Sequence, residues 1–183
     1  MKRTLSIILA MVLVLSMSAM AFADTTPIAE IPADTMQAFI DDTPEGHYLA
    51  GTNVIPIDEQ LTAYEAVYLP IVRPRYASVT GQKTVYVYEG LIGANIVRSD
   101  LTGTFNHDGR TAVCTNITAN TVLLHPSYAG YTFQITNKTP RLNGDQGYVD
   151  LVYKVYSGYS SVVVKTVSNI KPTIACNPDG TIY

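Results

Sequence analysis

The sequence predicts an all-β protein: an antiparallel β-sandwich, immunoglobulin-like by architectural analogy, preceded by an extended acidic arm. Three observations carry this. Short runs of β-branched and aromatic residues alternate with polar ones from Lys83 onward. Turn chemistry, above all Asp108-Gly109 and Asn177-Pro178-Asp179-Gly180, falls between those runs. Charge divides the chain near Val72: residues 24–72 hold nine acidic residues and no Lys or Arg, while 73–183 hold ten basic and six acidic residues.

Residues 1–23 read as an export signal. Lys2 and Arg3 precede a nearly unbroken apolar stretch from Leu5 to Leu15, and Ala21-Phe22-Ala23 is a small-x-small cleavage site. The apolar run is short for a membrane span. The expected mature chain is secreted, extracellular and associated with the cell envelope, with no membrane span after cleavage. Residues 24–72 are expected to be an acidic, partly disordered arm broken by Pro27, Pro32, Pro44 and Pro56. Within it Asp34-Thr35, followed by Met36, Phe39 and Ile40, predicts a short helix. The segment Asp58 to Tyr68 fits either a helix face through Leu61, Tyr64, Val67 and Tyr68 or a strand over 64–72, and helix or irregular structure is favoured.

Residues 73–183 are the expected β-sandwich domain. Lys83 to Glu89 alternates Val85 and Val87 with Thr84, Tyr86 and Tyr88, a strand pattern; Leu91 to Val97 follows as a second strand with Gly93 as a bend. Leu101–Asn106 and Arg110–Ile117 form a hairpin about Asp108-Gly109. A two-residue turn pairs Phe105 with Ala112 and Gly103 with Cys114, putting Phe105 and Cys114 on one buried face. Thr121–His125 and Tyr131–Thr136 are shorter strands, and Thr139–Gly147 is polar and read as a connection. Gly147 to Ser168 reads as a hairpin about Ser157-Gly158, with Tyr153 opposite Val162, Leu151 opposite Val164 and Asp150 opposite Lys165. That register turns Val149, Leu151, Tyr153, Val155, Val162 and Val164 toward the core. Finally, Gly180 supplies the left-handed residue of a turn that pairs Cys176 with Ile182.

Two cysteines in an exported chain predict one disulfide, Cys114–Cys176, tying two sheets together. The pattern LTGTFNHDGRTAVCT (101–115), followed by the TIACNPDGTI ending (173–182), resembles small exported proteins of Gram-positive bacteria with a β-rich C-terminal domain. The resemblance covers roughly the last hundred residues. It implies a secreted β domain of unassigned function and carries over no catalytic residue.

No motif for chemistry stands out. His107 beside Asp108 is expected to be a solvated turn tip, and Ser127 near His125 lacks a nucleophile elbow. Asn143–Gly147 lacks the spacing of a calcium loop, and there is no phosphate loop or zinc cluster. The expected protein is therefore not an enzyme, with no cofactor and no metal. Nucleic acid is not an expected partner, because the domain is only mildly basic. The candidate binding face is Tyr148, Lys154, Tyr156, Tyr159 and Lys165 on the outer side of the 147–168 hairpin. Tyrosine rings beside lysines suit an envelope glycan or an anionic wall polymer. The alternative is a structural protein that self-associates through sheet edges, and a secreted hydrolase is a distant third.

Overall fold

The structure, a computed structural model, describes residues 30–71, 77–128, 130–158 and 161–183. The export signal, the boundary at 72/73 and Tyr159 lie outside the described residues. The body from Ile31 to Tyr183 is all-β, antiparallel and sandwich-like, with one short helix among the described residues.

Strands β1 (His47–Pro56), β2 (Leu61–Pro70), β3 (Ala77–Glu89), β4 (Ala94–His107) and β5 (Ala112–Leu123) form a five-stranded meander in that order. The facing layer is split into two sheets. One contains β6 (Ser127–Tyr128), β7 (Tyr131–Asn137), β10 (Leu151–Ser157) and β11 (Val163–Ile170), ordered β11-β10-β7-β6. The other contains β8 (Pro140–Asn143), β9 (Gln146–Val149) and β12 (Thr173–Ala175), ordered β12-β9-β8. Helix α1 (Ala33–Asp41) packs on the opposite face of the large sheet, through Phe39 against Tyr64, Ala66, Tyr68 and Tyr86.

Residues 47–70 are therefore not an arm but two strands of the main sheet. The preference for helix or irregular structure over 58–68 fails for a physical reason. On β2, Leu61, Ala63 and Leu69 face the second layer, while Tyr64, Ala66 and Tyr68 face α1, and all six are buried. A strand covered on both sides loses polar alternation, so its apolar spacing imitates a helical stripe. The short helix at 33–41 is present as expected.

The interior has two clusters between the layers. Val85, Val87, Ile96 and Val97 of the large sheet meet Phe133, Leu151, Tyr153, Val155, Val167 and Ile170 of the four-stranded sheet. Leu101, Phe105 and Cys114 meet Val149, Ile174, Cys176 and Ile182 of the smaller sheet and the C-terminal end. Gly103 and Gly147 let the layers approach: an added Cβ would lie 2.8 Å from Ile174 Cγ2 and 2.5 Å from Ile117 Cδ1, respectively.

Four expectations about registers and connections are corrected. First, β10 and β11 pair Tyr153 with Val167 and Val155 with Lys165, not Tyr153 with Val162. The connection is wider than two residues, with the Ser157 N–H donating to the Val162 carbonyl at 3.3 Å, and irregularities interrupt the ladder at both ends. An odd displacement inverts faces: Val162 and Val164 are exposed, and Val167 and Ile170 take the core positions. Asp150 pairs with Arg141 rather than with Lys165. Second, His107 lies opposite Ala112 and Phe105 opposite Cys114, so the Asp108 turn holds four residues. The Asp108 carboxylate accepts the Arg110 and Thr111 N–H groups at 2.8 and 2.7 Å, closing that longer loop. The displacement is even on the inward side, so Phe105 and Cys114 still share the buried face. Third, 91–97 and 101–106 are not separate strands: Gly93 (φ 63°) closes the turn, and β4 runs unbroken from 94 to 107. Fourth, 139–147 is not a plain connection but the β8–β9 hairpin, turned at Gly144 (φ 58°).

The C-terminal turn is as expected. Cys176 bridges Ile182, and Gly180 has φ 84°.

Candidate functional site

The expected Tyr/Lys face is dispersed. Lys154 and Tyr156 do share the outer side of β10, where the Tyr156 hydroxyl donates to Gln134 Oε1 at 3.1 Å. Tyr148 belongs to β9 in the other small sheet, with Lys171 Nζ 3.8 Å from its ring centre. Lys165 sits on the inner side opposite Val155, as an ion pair with Asp58. The chain changes sheets at Asp150, and the register inverts on β11, so the four described residues of the set do not form one platform.

The disulfide is not formed. Cys114 and Cys176 are buried free thiols, each Sγ donating to a backbone carbonyl, those of Asn116 and Asn177. Both strands hang from one turn instead: the Cys114 N–H donates to the Gly144 carbonyl and the Cys176 N–H to the Asp145 carbonyl. His107 is also not a solvated turn residue. It is buried, neither ring nitrogen has a hydrogen-bond partner among the described residues, and its ring packs on Gly180 where an added Cβ would lie 2.7 Å away. His47 bonds the carbonyls of Glu45 and Thr80, and His125 is exposed.

What the structure does assemble is a cavity of about 290 Å³ between the β2–β3 end of the large sheet and the four-stranded sheet. Leu61, Phe133, Val155 and Val164 give it apolar walls, and Glu89, Tyr153 and Lys165 give it polar ones. Period-two placement explains the set. Val85, Val87 and Glu89 share the inward parity of β3, and Leu151, Tyr153 and Val155 that of β10. The two sheets thus bring the Glu89 carboxylate and the Tyr153 phenol to a space whose lining also holds Gln60, Tyr131 and Lys165.

Tyr153 is 1% exposed, and its hydroxyl has no hydrogen-bond partner among the described residues. Burial, with the Asp58 and Glu89 carboxylates nearby, pushes its phenol well above the ordinary value, so it stays a neutral O–H. Glu89 is 5% exposed and accepts only the Leu91 and Ile92 N–H groups, both at 3.3 Å, among the described residues. Lys165 is held by Asp58. Burial pulls the Asp58 carboxyl up, but hydrogen bonds from Lys165, Gln60 and Leu61 and the charge of Lys165 outweigh it, leaving the group below its ordinary value. A second, smaller cavity of about 100 Å³ contains Glu65, whose carboxylate is already paired with Lys83 at 3.1 Å.

The sequence reading missed this site. Tyr153 was correctly turned inward, but as core filling; the available signal was a phenol on a wall of Val and Leu, where the hydroxyl needs a partner. Glu89 at the inward parity of KTVYVYE was equally visible. Asp58 and Lys165, far apart in sequence, were not. No known family model, curated protein or solved structure matches this chain.

Proposed function

We propose that the chain is an exported, non-enzymatic binding module of the bacterial cell envelope that takes its ligand between the sheets. One observation carries this reading: the Tyr153 hydroxyl, sealed from water and unpartnered at the wall of an apolar cavity. A buried hydroxyl without a partner costs about 1–3 kcal/mol, a cost a ligand atom would offset. The outer Lys154/Tyr156 face is a secondary contact for an envelope glycan or wall polymer. Tyr153→Phe separates a ligand role from a structural one. Without ligand it should raise stability by about 1 kcal/mol in urea, and it should weaken retention of the purified protein on isolated envelope material. A stability gain with unchanged retention would remove Tyr153 from the binding role.

A second reading is self-association through β1. This edge strand spans ten residues without one Lys, Arg, Asp or Glu, unlike edges protected by charge. Light scattering across a wide concentration range tests it: a constant monomer mass argues against edge pairing.

A further inference from the structure

We infer that the interlayer cavity selects a primary ammonium group attached to a small apolar or aromatic body. The inference rests on the proposed ligand role of the cavity and adds the chemical class. Three features lead to it.

The first is charge. Lys165 and Asp58 neutralise each other at the rim, which leaves Glu89 as the uncompensated carboxylate on the wall. No cationic side chain pairs with Glu89 among the described residues. A carboxylate offers about four acceptor positions, and two long backbone contacts at 3.3 Å leave capacity for a strong donor. An ammonium supplies three N–H donors and the opposite charge.

The second is the Tyr153 oxygen. It lies within electrostatic reach of Glu89 and carries unused lone pairs as well as an unused O–H. An ammonium placed beside Glu89 and within reach of that oxygen gives the Tyr153 hydroxyl a partner while filling the spare acceptor capacity of the carboxylate. A carboxylate ligand would instead meet Glu89 with like charge, and Lys165, the cation of the described lining, is already engaged by Asp58. A hydroxyl ligand satisfies the geometry but lacks the charge.

The third is size and lining. Apolar cavities of roughly 150 Å³ accept benzene, so about 290 Å³ holds one ring and a short amine-bearing arm. Leu61, Phe133, Val155 and Val164 provide the surface for that body.

The test uses three near-isosteric probes, benzylamine, benzyl alcohol and benzoate, titrated into the purified protein at neutral pH while backbone amide shifts are followed. The expected result is that benzylamine moves the amides of Leu61, Glu89, Tyr153 and Lys165 and binds on the order of tenfold more tightly than benzyl alcohol, one charged hydrogen bond's worth. Benzoate should be the weakest. Glu89→Gln should bring the amine and the alcohol to within about twofold of each other. If the alcohol or benzoate binds these residues as tightly as the amine, the cavity remains a ligand site but the ammonium class is overturned. If no probe moves these amides, the cavity reading falls as well. Should Glu89→Gln fold poorly, the order of the three probes on the unaltered protein still decides. An amine preference that survives in a folded Glu89→Gln variant would overturn the role given to that carboxylate.

Discussion

A thiol ionises readily only where water or a cation stabilises the thiolate, and Cys114 and Cys176 have neither within the core. Burial pushes Cys176 up to about 11, with the carboxylates of Asp179 and Asp145 adding to the effect, and burial raises Cys114 as well. At pH 8 only about one Cys176 in a thousand is a thiolate. We expect native protein at pH 8 to resist a disulfide-exchange reagent, with labelling limited by global opening. In denaturant without reductant it should release two thiols per chain; a count of zero would show that the sulfurs are bonded after all. At this scale the sequence conveyed types better than surroundings. Gly180 was legible as a left-handed turn residue, but nothing local to it announced that His107, far upstream, packs on its missing side chain.

Elements were legible where β-branched residues alternate with polar or phenolic ones, even under cover on both faces as in β3, and ambiguous where that alternation is lost. The alternation of 83–89 and 131–136 identified β3 and β7, whereas β2, covered by α1 as well as by the second layer, looked helical. Registers failed for a different reason. A two-residue turn at 157–158 and the four-to-five-residue connection present there leave the same alternation on each strand, and the extra residues decide which valines face inward. Long-range polar contacts were invisible in the same way, and they set how α1 docks. The Tyr86 hydroxyl donates to Asp42 Oδ2 at 2.7 Å, Arg98 reaches Asp42 Oδ1 at 2.9 Å, and the Tyr68 hydroxyl donates to the Phe39 carbonyl at 2.8 Å. Asp42→Ala removes the acceptor of the Tyr86 hydroxyl and one of the two carboxylates on Arg98, which keeps Asp100 at 3.0 Å, so we expect a loss of about 1.5 kcal/mol. Tyr86→Phe should cost about 1 kcal/mol. Because both act through one carboxylate, the double variant should cost less than the sum; strict additivity in a urea double-mutant cycle would show that the Tyr86–Asp42 hydrogen bond does not help to hold the helix.

At the scale of the whole molecule, the charge division legible in the sequence has a structural use. Asp42, Asp58 and Glu65, all from the acidic segment, pair with Arg98, Lys165 and Lys83 of the later strands. These pairs join helix to sheet, layer to layer and strand to strand, so the acidic residues are part of the assembly rather than a solvated leader. The layer-to-layer pair makes stability depend on pH with a definite sign. The native Asp58 carboxyl titrates below its ordinary value of 3.8, so the unfolded chain binds a proton there first as pH falls. The contribution of Asp58 is then complete above about pH 5 and declines as pH drops through 3.8 toward the native value. Both side chains are one-third exposed, so solvent screening keeps the contribution within about 1 kcal/mol. We expect the urea midpoint to fall between pH 5 and pH 3, and to fall less in Asp58→Asn, which keeps an acceptor for the Gln60 and Leu61 N–H groups but has no proton to gain. Adding salt at pH 7 should narrow the gap between the two proteins, since a partly exposed pair is screened while the apolar core is not. Parallel pH profiles for the two proteins would mean that the layers are joined at this rim by packing, and that Lys165 is free to meet a ligand anion.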